Sequence, residues 1–147
     1  MGLGTSGSLS EYATKYFVNT GLRSFVISDP FQAVQVQGMG NVVAVIMSVS
    51  GETEQVVNKE FEFKSGGAKI ISITNNEDCT VARLADHQLS YNLVNEWSKQ
   101  YPLGNLTTQL PVLAILEILA HKSIDYLVKK MINLFQMKKQ IFQNPTI

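Results

Sequence analysis

Residues 42–53 of this 147-residue chain read VVAVIMSVSGET. The run from 42 to 47 is continuously apolar and rich in β-branched residues, which is typical of a strand covered on both faces of a parallel sheet. Small and hydroxyl-bearing residues follow the run, and a helical pattern begins at Glu52. A strand that turns into a helix through such a loop directs backbone N–H groups, hydroxyls and the positive end of the helix dipole at one point. The stretch therefore predicts a site for an anion such as a phosphate.

A second loop of the same kind, GLGTSGS, occupies residues 2–8. The helical pattern that follows it has one apolar stripe, and Gly21 is suited to end the helix. The stripe consists of Leu9, Tyr12, Ala13, Tyr16 and Phe17. Two loops of this composition in one small domain predict a phosphorylated ligand that is held between them.

The rest of the pattern alternates strands with helices. It predicts strands at residues 22–27, 68–74 and 88–91, and helices at residues 29–37, 52–64 and 80–85. In the helix at 52–64, we expect Val56, Val57 and Phe61 to face the core. Such alternation is typical of βαβ units, which form a mainly parallel sheet with helices on both faces.

The length and composition indicate one domain, covering residues 1–147, with 45% hydrophobic residues for its core. Twelve basic and twelve acidic side chains give zero formal net charge, so we expect this chain to bind no nucleic acid. The longest apolar stretch, residues 110–120, contains Glu117 and is too short to cross a bilayer, so we expect no membrane partner. Cys79 is the only cysteine, and no pair of Cys or His residues has metal-ligand spacing. The sequence therefore predicts no metal site and a reducing, cytoplasmic setting.

The C-terminal part has a helical pattern from about residue 106 to residue 142, and a break in it would fall near residues 122–123. The apolar residues between 110 and 119 leave this helix almost no polar face. One sheet cannot cover so much apolar surface, so we expect a second subunit to bury the remainder in a homodimer. From about residue 122 the helix continues as an extension, whose lysines are expected to face solvent.

Residues 2–7 also match the G-x-G-x-x-G pattern of dinucleotide-binding folds. Asp29 lies about where such folds place an acidic residue that binds the ribose. An NAD-binding protein is therefore an alternative. Two features oppose it, because almost no strand precedes the first loop and a dinucleotide fold does not require the second loop. We predict no cofactor.

Four motifs of the chain resemble the sugar isomerase (SIS) domain in order and spacing, over about residues 2–120. They are residues 4–7 (GTSG), 48–53 (SVSGET), 67–75 (GAKIISITN) and 84–86 (LAD), of which SVSGET is the most specific. Within that superfamily the chain is most similar to the effector domain of RpiR-type transcriptional regulators. This likeness rests on Asp86, followed by a strand, by Glu96 and by residues 106–110 (LTTQL), which lead into a long apolar helix.

The resemblance implies a three-layer αβα sandwich of the flavodoxin- or Rossmann-like kind, usually dimeric, with a five-stranded, mainly parallel sheet. The first strand is expected to be at most a stub here, since the sequence starts at the first loop. The implied ligand is a phosphorylated sugar. The implied binding residues are Ser48, Ser50, Thr53 and the amide of Gly51 for the phosphate, Thr5 and Ser6 for the sugar or phosphate, and Glu96 for sugar hydroxyls.

The function that the resemblance implies is the sensing of this sugar phosphate by an RpiR-like regulator, without conversion of the ligand. Aldose-ketose isomerisation needs a base near the substrate carbon and usually a second group that opens the ring or moves protons. Glu96 is a candidate for one of these groups, and the sequence shows no convincing partner for it. We therefore predict no catalytic residue, with a sugar-phosphate isomerase or a related SIS hydrolase as the alternative.

Overall fold

The computed structural model describes residues 1–39, 41–92 and 109–143, with side chains described up to residue 134. Within these ranges the chain forms one parallel sheet in the order β1-β2-β3, together with helices. The elements are α1 (Thr5–Asn19), β1 (Val43–Ser48), α2 (Glu54–Ser65), β2 (Lys69–Thr74), α3 (Thr80–Leu84), β3 (His87–Ser90) and α4 (Gln109–Gln143). The predicted α/β fold with a parallel sheet is confirmed, whereas three strands are found in the described residues and the predicted five are not confirmed.

Helices cover the sheet on both faces. Side chains alternate along a strand, so Ile46 and Ile70 pack on one face and Met47 and Ile73 on the other. The first face packs against α2 and α3 through Val56, Phe63, Val81 and Ala82. The second face packs against α1 and α4 through Ala13, Val112 and Leu116. Strands β1 and β2 are therefore covered on both faces, as the continuous apolar run at residues 42–47 predicts for β1.

Residues 22–37 form neither the predicted strand nor the predicted short helix. Asp29 Oδ1 accepts a hydrogen bond from Phe31 N at 2.8 Å, and Asp29 O accepts one from Gln32 N at 3.2 Å. The Asp-Pro pair therefore makes a single turn instead of capping a helix. Residues 22–27 keep a strand-like sequence, but no described strand lies beside them to provide the hydrogen-bond partners that a strand requires.

The core-facing side of α2 differs from the prediction at one position. Val56 is buried and Val57 is partly buried, as expected, but Phe61 is 50% exposed. The helix instead turns Val56, Glu60 and Phe63 inward, at the i, i+4, i+7 spacing that defines one helix face. Phe61 lies off this face.

Helix α4 is continuous, and the predicted break near residues 122–123 is absent. The Ser123 hydroxyl donates to Ala120 O at 2.7 Å, so this polar residue is satisfied within the helix. Of the helices in the described ranges, none combines the length and the apolar character that crossing a bilayer requires.

Glu60 is a carboxylate inside the core. It is fully buried, and neither of its carboxylate oxygens has a hydrogen-bond partner among the described residues. Burial disfavours the charged form and raises the pKa of Glu60 from 4.5 to about 7, against a smaller opposing effect of the Lys64 charge. Because the folded state holds this proton more tightly than the unfolded state, ionisation of Glu60 favours unfolding.

We expect the stability of the protein to fall as the pH rises from 4.5 to about 7, and Glu60→Gln to remove this part of the decline. The shift corresponds to about 3 kcal/mol, present below pH 4.5 and lost as the pH passes the raised pKa. Urea unfolding of both proteins between pH 4.5 and 8 measures the effect. Glu77→Gln is the control, since Glu77 is exposed. A difference between wild type and Glu60→Gln that is equal at pH 5 and pH 8 would contradict the assignment.

Candidate functional site

The loop between β1 and α2 is held in a tight turn by its own hydroxyls. Ser48, buried at the end of β1, accepts a hydrogen bond at its Oγ from Gly51 N at 3.1 Å. The Ser50 Oγ accepts one from Glu52 N at 3.3 Å. Gly51 has a φ of +66°, and a Cβ at this position would overlap the Cys79 side chain. The turn therefore requires glycine at position 51 for two reasons: the positive φ, and the lack of space for a Cβ beside Cys79.

Helix α2 begins directly after this turn. Thr53 is its N-cap residue, and the Thr53 side chain makes no capping hydrogen bond. The first N–H groups of a helix have no partner within the helix, and they carry the positive end of its dipole. The α2 N-terminus thus presents amide donors and the Thr53 hydroxyl on the same side of the loop.

The first loop ends in a second helix N-terminus. Gly4, with a φ of +56°, is the N-cap residue of α1 and provides no side-chain cap. A Cβ at Gly2 would lie 2.7 Å from the Ser6 backbone, and one at Gly7 would lie 3.1 Å from Gly2 O. The glycines that match the dinucleotide pattern therefore serve to fold this loop closely onto the start of α1.

Both loops open onto one cleft of about 540 Å³. Its lining consists of Leu3, Gly4, Thr5, Ser6, Met47, Ser48, Val49, Ser50, Thr53, Val56, Asn75 and Asn76. Thr5, Ser6, Ser48, Ser50 and Thr53 were all predicted from the sequence as binding residues. Gly51 is buried behind them, and Glu96 lies outside the described residues.

Sequence reasoning missed Asn75 and Asn76. They directly follow β2, and the Asn75 backbone N–H donates to Val49 O at 3.2 Å, which joins the end of β2 to the loop after β1. The signal was available, because the carboxyl ends of neighbouring parallel strands meet at one edge of a sheet and ligands bind there. Asn76 Oδ1 accepts from Asp78 N at 2.9 Å, so its side chain also shapes its own loop.

In the described part of the chain, the residues that line the cleft are all neutral and include no lysine, arginine, carboxylate or histidine. The nearby Glu52 carboxylate accepts hydrogen bonds from the Thr80 hydroxyl at 2.7 Å and the Thr80 backbone N–H at 2.8 Å. These two hydrogen bonds hold the pKa of Glu52 below its usual value, and the bond from the Thr80 hydroxyl has the larger effect. Glu52 therefore ties the loop to the start of α3 as a carboxylate and is a poor candidate for a catalytic base.

The dinucleotide alternative loses support in the structure. Asp29, its candidate ribose-binding acid, does not line the cleft and its carboxylate is engaged in the turn with Phe31. In the described part of the chain, no group of three or more His, Cys, Asp or Glu side chains could hold a metal ion.

A family model for the SIS domain matches residues 1–119. The chain belongs to the SIS domain family. This membership agrees with the parallel α/β fold and with the resemblance carried by the SVSGET motif.

Three relatives show the range of functions among similar proteins. The chain is 34% identical over 122 residues to a probable arabinose 5-phosphate isomerase of Haemophilus influenzae, covering 81% of this chain and 36% of the relative. It is 25% identical over 121 residues to an uncharacterized HTH-type transcriptional regulator of Clostridium perfringens, covering 81% of this chain and 42% of the relative. The chain thus spans less than half the length of these curated relatives. The structure of E. coli CFT073 c3406 in complex with a sugar phosphate matches with a TM-score of 0.70 and 25% identity, covering 87% of this chain and 68% of that one.

We expect Gly51→Ala to destabilise the protein clearly more than Gly67→Ala. Both glycines have a positive φ, for which a Cβ costs about 1–2 kcal/mol. A Cβ at Gly67 meets open space, whereas one at Gly51 meets Cys79, which adds about 1–3 kcal/mol of overpacking. Chemical denaturation of the two variants measures the difference. Equal losses would show that the contact between Gly51 and Cys79 does not constrain the loop.

Proposed function

We propose that this chain binds a phosphorylated sugar in the cleft between the two loops. The phosphate lies at the N-terminus of α2, where the hydroxyls of Ser48, Ser50 and Thr53 donate to it, while Thr5 and Ser6 approach from the first loop. The Gly51 amide, predicted as a direct ligand, donates to Ser48 Oγ instead and holds that hydroxyl in place. The observation that carries the proposal is the convergence of two helix N-termini and five hydroxyl-bearing residues on one cleft, where none of the described lining residues bears a carboxylate. Helix dipoles and neutral hydrogen-bond donors can together bind an anion even where no lysine or arginine contributes.

The size of the cleft and the relatives support a sugar phosphate as the anion. A volume of about 540 Å³ lies within the usual range of small-molecule sites, about 300–1,000 Å³. The similar E. coli structure holds a sugar phosphate. We also propose that Glu96, which lies outside the described residues, binds hydroxyl groups of the sugar.

We propose that the chain is the effector domain of an RpiR-like regulator, which senses the sugar phosphate and does not convert it. The described lining residues offer hydroxyls and amides for binding, and none of them is suited to move a proton from carbon. The similarity to an HTH-type regulator supports this choice. In this proposal the chain itself contacts no nucleic acid, in keeping with its zero formal net charge, and it acts in the cytoplasm.

A sugar-phosphate isomerase is the second candidate, and the 34% identity to a probable arabinose 5-phosphate isomerase favours it. In that case Glu96 is the candidate base. Incubation of the purified chain with arabinose 5-phosphate, followed by detection of the ketose phosphate, distinguishes the two functions. Binding without conversion supports the sensor, whereas turnover above a blank supports the isomerase.

We expect Thr53→Val to weaken the binding of arabinose 5-phosphate about tenfold while leaving the fold intact. Valine keeps the shape of threonine, and the Thr53 hydroxyl makes no capping bond whose loss would disturb α2. A hydrogen bond to a charged group contributes about 1.5–3 kcal/mol, which corresponds to tenfold or more in Kd. Calorimetry measures the affinity, with Ser8→Ala, an exposed position in α1 outside the cleft lining, as the control. An unchanged Kd in Thr53→Val would refute the proposed phosphate position.

We also propose a homodimer and a complete sheet of five strands. In α4, Val112, Leu116 and Ala120 pack onto the rest of the chain, while Leu110 is 68% and Ile118 59% exposed. The exposed pair lies on the side of the helix away from the body of the domain, where a second subunit would cover it. Leu116, which the sequence would suggest as a test position, is buried within its own subunit and serves the core instead.

We expect Ile118→Glu to shift the protein from dimer to monomer with little loss of stability, because the introduced charge would be buried only in the interface. Sedimentation velocity at micromolar concentration measures the change. Asn58→Glu is the control, since Asn58 is exposed on α2, which packs on the opposite face of the sheet. A wild-type protein that sediments as a monomer would rule out this interface.

A further inference from the structure

Helix α4 continues beyond the point where it packs onto α1. The ring of His121 meets the ring of Tyr16 edge-on, with 6.5 Å between their centres. One turn later, the hydroxyl oxygens of Ser123 and Thr20 lie 3.5 Å apart, and α1 has ended just before Thr20. We call residues 122–143 the distal segment of α4. At 1.5 Å per residue it is about 33 Å long, which is comparable to the diameter of a small domain.

The described part of the distal segment has a broad apolar side. With 3.6 residues per turn, its apolar side chains fall on about one half of the helix circumference, without a charged residue among them. They are Ile124, Leu127, Val128, Met131, Ile132 and Leu134. Met131 is 69% and Leu134 52% exposed. This side is wider than the seam of a two-stranded coiled coil, and it requires a covering surface.

The charges of the distal segment are almost all positive. It contains five lysines and one acidic residue, Asp125. The lysines are Lys122, Lys129, Lys130, Lys138 and Lys139. Lys122 lies 3.9 Å from Asp125, and both side chains are too exposed for this pair to contribute much. The segment therefore has a formal charge of +4, and the remaining 125 residues carry −4, since the whole chain is neutral.

Charge and polarity together decide which surface can cover the apolar side. The same segment of a second copy would bring another charge of +4, so two segments packed side by side would repel each other. Nucleic acid would attract the lysines and leave the apolar side uncovered. An anionic lipid surface matches both properties, because a basic amphipathic helix places its lysines among the headgroups and its apolar side in the acyl boundary.

We propose that the distal segment of α4 binds the surface of an anionic membrane and lies in the plane of the interface. Lys129 and Lys130 lie towards opposite borders of the polar half, where long side chains reach the headgroups while their stems cover apolar surface. The cytoplasmic leaflet is negatively charged, in keeping with the cytoplasmic setting proposed above. Surface binding needs no spanning helix. The expectation of no membrane partner, which considered only the crossing of a bilayer, is therefore replaced.

Co-sedimentation of the whole chain with lipid vesicles tests the charge requirement. We expect binding to vesicles of phosphatidylcholine with about 30% phosphatidylserine, and at least about tenfold weaker binding to pure phosphatidylcholine. Lys129→Gln/Lys130→Gln is expected to lower the partition coefficient about 25-fold, since each lysine near an anionic surface contributes roughly fivefold. Lys15→Gln/Arg23→Gln is the control, because it removes the same charge from exposed positions outside the distal segment.

A second variant tests the apolar side. Met131→Gln keeps a good helix former at an exposed position, and it is expected to weaken vesicle binding about tenfold by removing an apolar side chain from the acyl boundary. Phe61→Gln, at a 50% exposed position of α2, is the matched control and should bind like the wild type.

Three results with vesicles would overturn the proposal: no binding to the phosphatidylserine vesicles, equal binding to both lipid compositions, or binding that either variant of the distal segment leaves unchanged. Two further results would assign the segment to another partner and also overturn it. One is loss of self-association in Lys129→Gln/Lys130→Gln, measured by sedimentation velocity, with unchanged vesicle binding. This result would identify the acidic body of a second copy as the partner. The other is tighter binding to a DNA duplex than to the vesicles. None of these measurements needs a sugar phosphate, so their failure leaves the proposed ligand site untouched.

Discussion

The left-handed backbone at Gly51 is the constraint on which the candidate site depends. It lets β1 end in a buried serine and α2 begin within a few residues, so that the helix N-terminus points over the end of the sheet. Ser48 holds the turn from inside through the Gly51 N–H, and Cys79 fills the space beside it. Glu52 then joins the same loop to the start of α3. The amides that would meet a phosphate are therefore fixed by the fold before any ligand arrives, which lowers the entropy lost on binding.

The neutral hydrogen-bond donors of the cleft determine which kind of anion it can bind. With no lysine or arginine among the lining residues, attraction comes from short-range hydrogen bonds and the ends of two helix dipoles. Such interactions depend strongly on geometry, so they favour a compact tetrahedral anion at one position over a diffuse polyanion such as nucleic acid. The zero formal net charge of the chain adds no long-range attraction. The selectivity of the site then depends on the shape of the cleft between the two loops.

The sequence predicted the elements whose signals are local. Strand β1 was found from its continuous apolar run and β2 from the alternation of strands with helices, and the hydroxyl-rich loops led to five residues that line the cleft. The errors came from features that depend on neighbours. Residues 22–27 form a strand only if another strand lies beside them, and the burial of Glu60 depends on how α2 packs onto the sheet. The Asp29-Pro30 pair did carry a local signal for a turn, which was interpreted as a helix cap. Asn75 and Asn76 were missed because their place in the cleft follows from how β1 and β2 align, which the topology alone would have indicated.

The division between sensing and isomerisation within this family has a physical basis in the same cleft. Hydrogen bonds to a phosphate are nearly the same for substrate and transition state. The two loops therefore supply affinity and positioning without lowering the activation barrier for proton transfer at the sugar carbon. Catalysis requires a further group that gains or loses a proton at that carbon. Since Glu52 is engaged by Thr80 and the polar groups of the described lining residues are hydroxyls and amides, such a group would have to approach from outside the two loops. A chain with these two loops could therefore serve either function, depending on whether such a group is supplied, and this chain is similar both to an HTH-type regulator and to a probable isomerase.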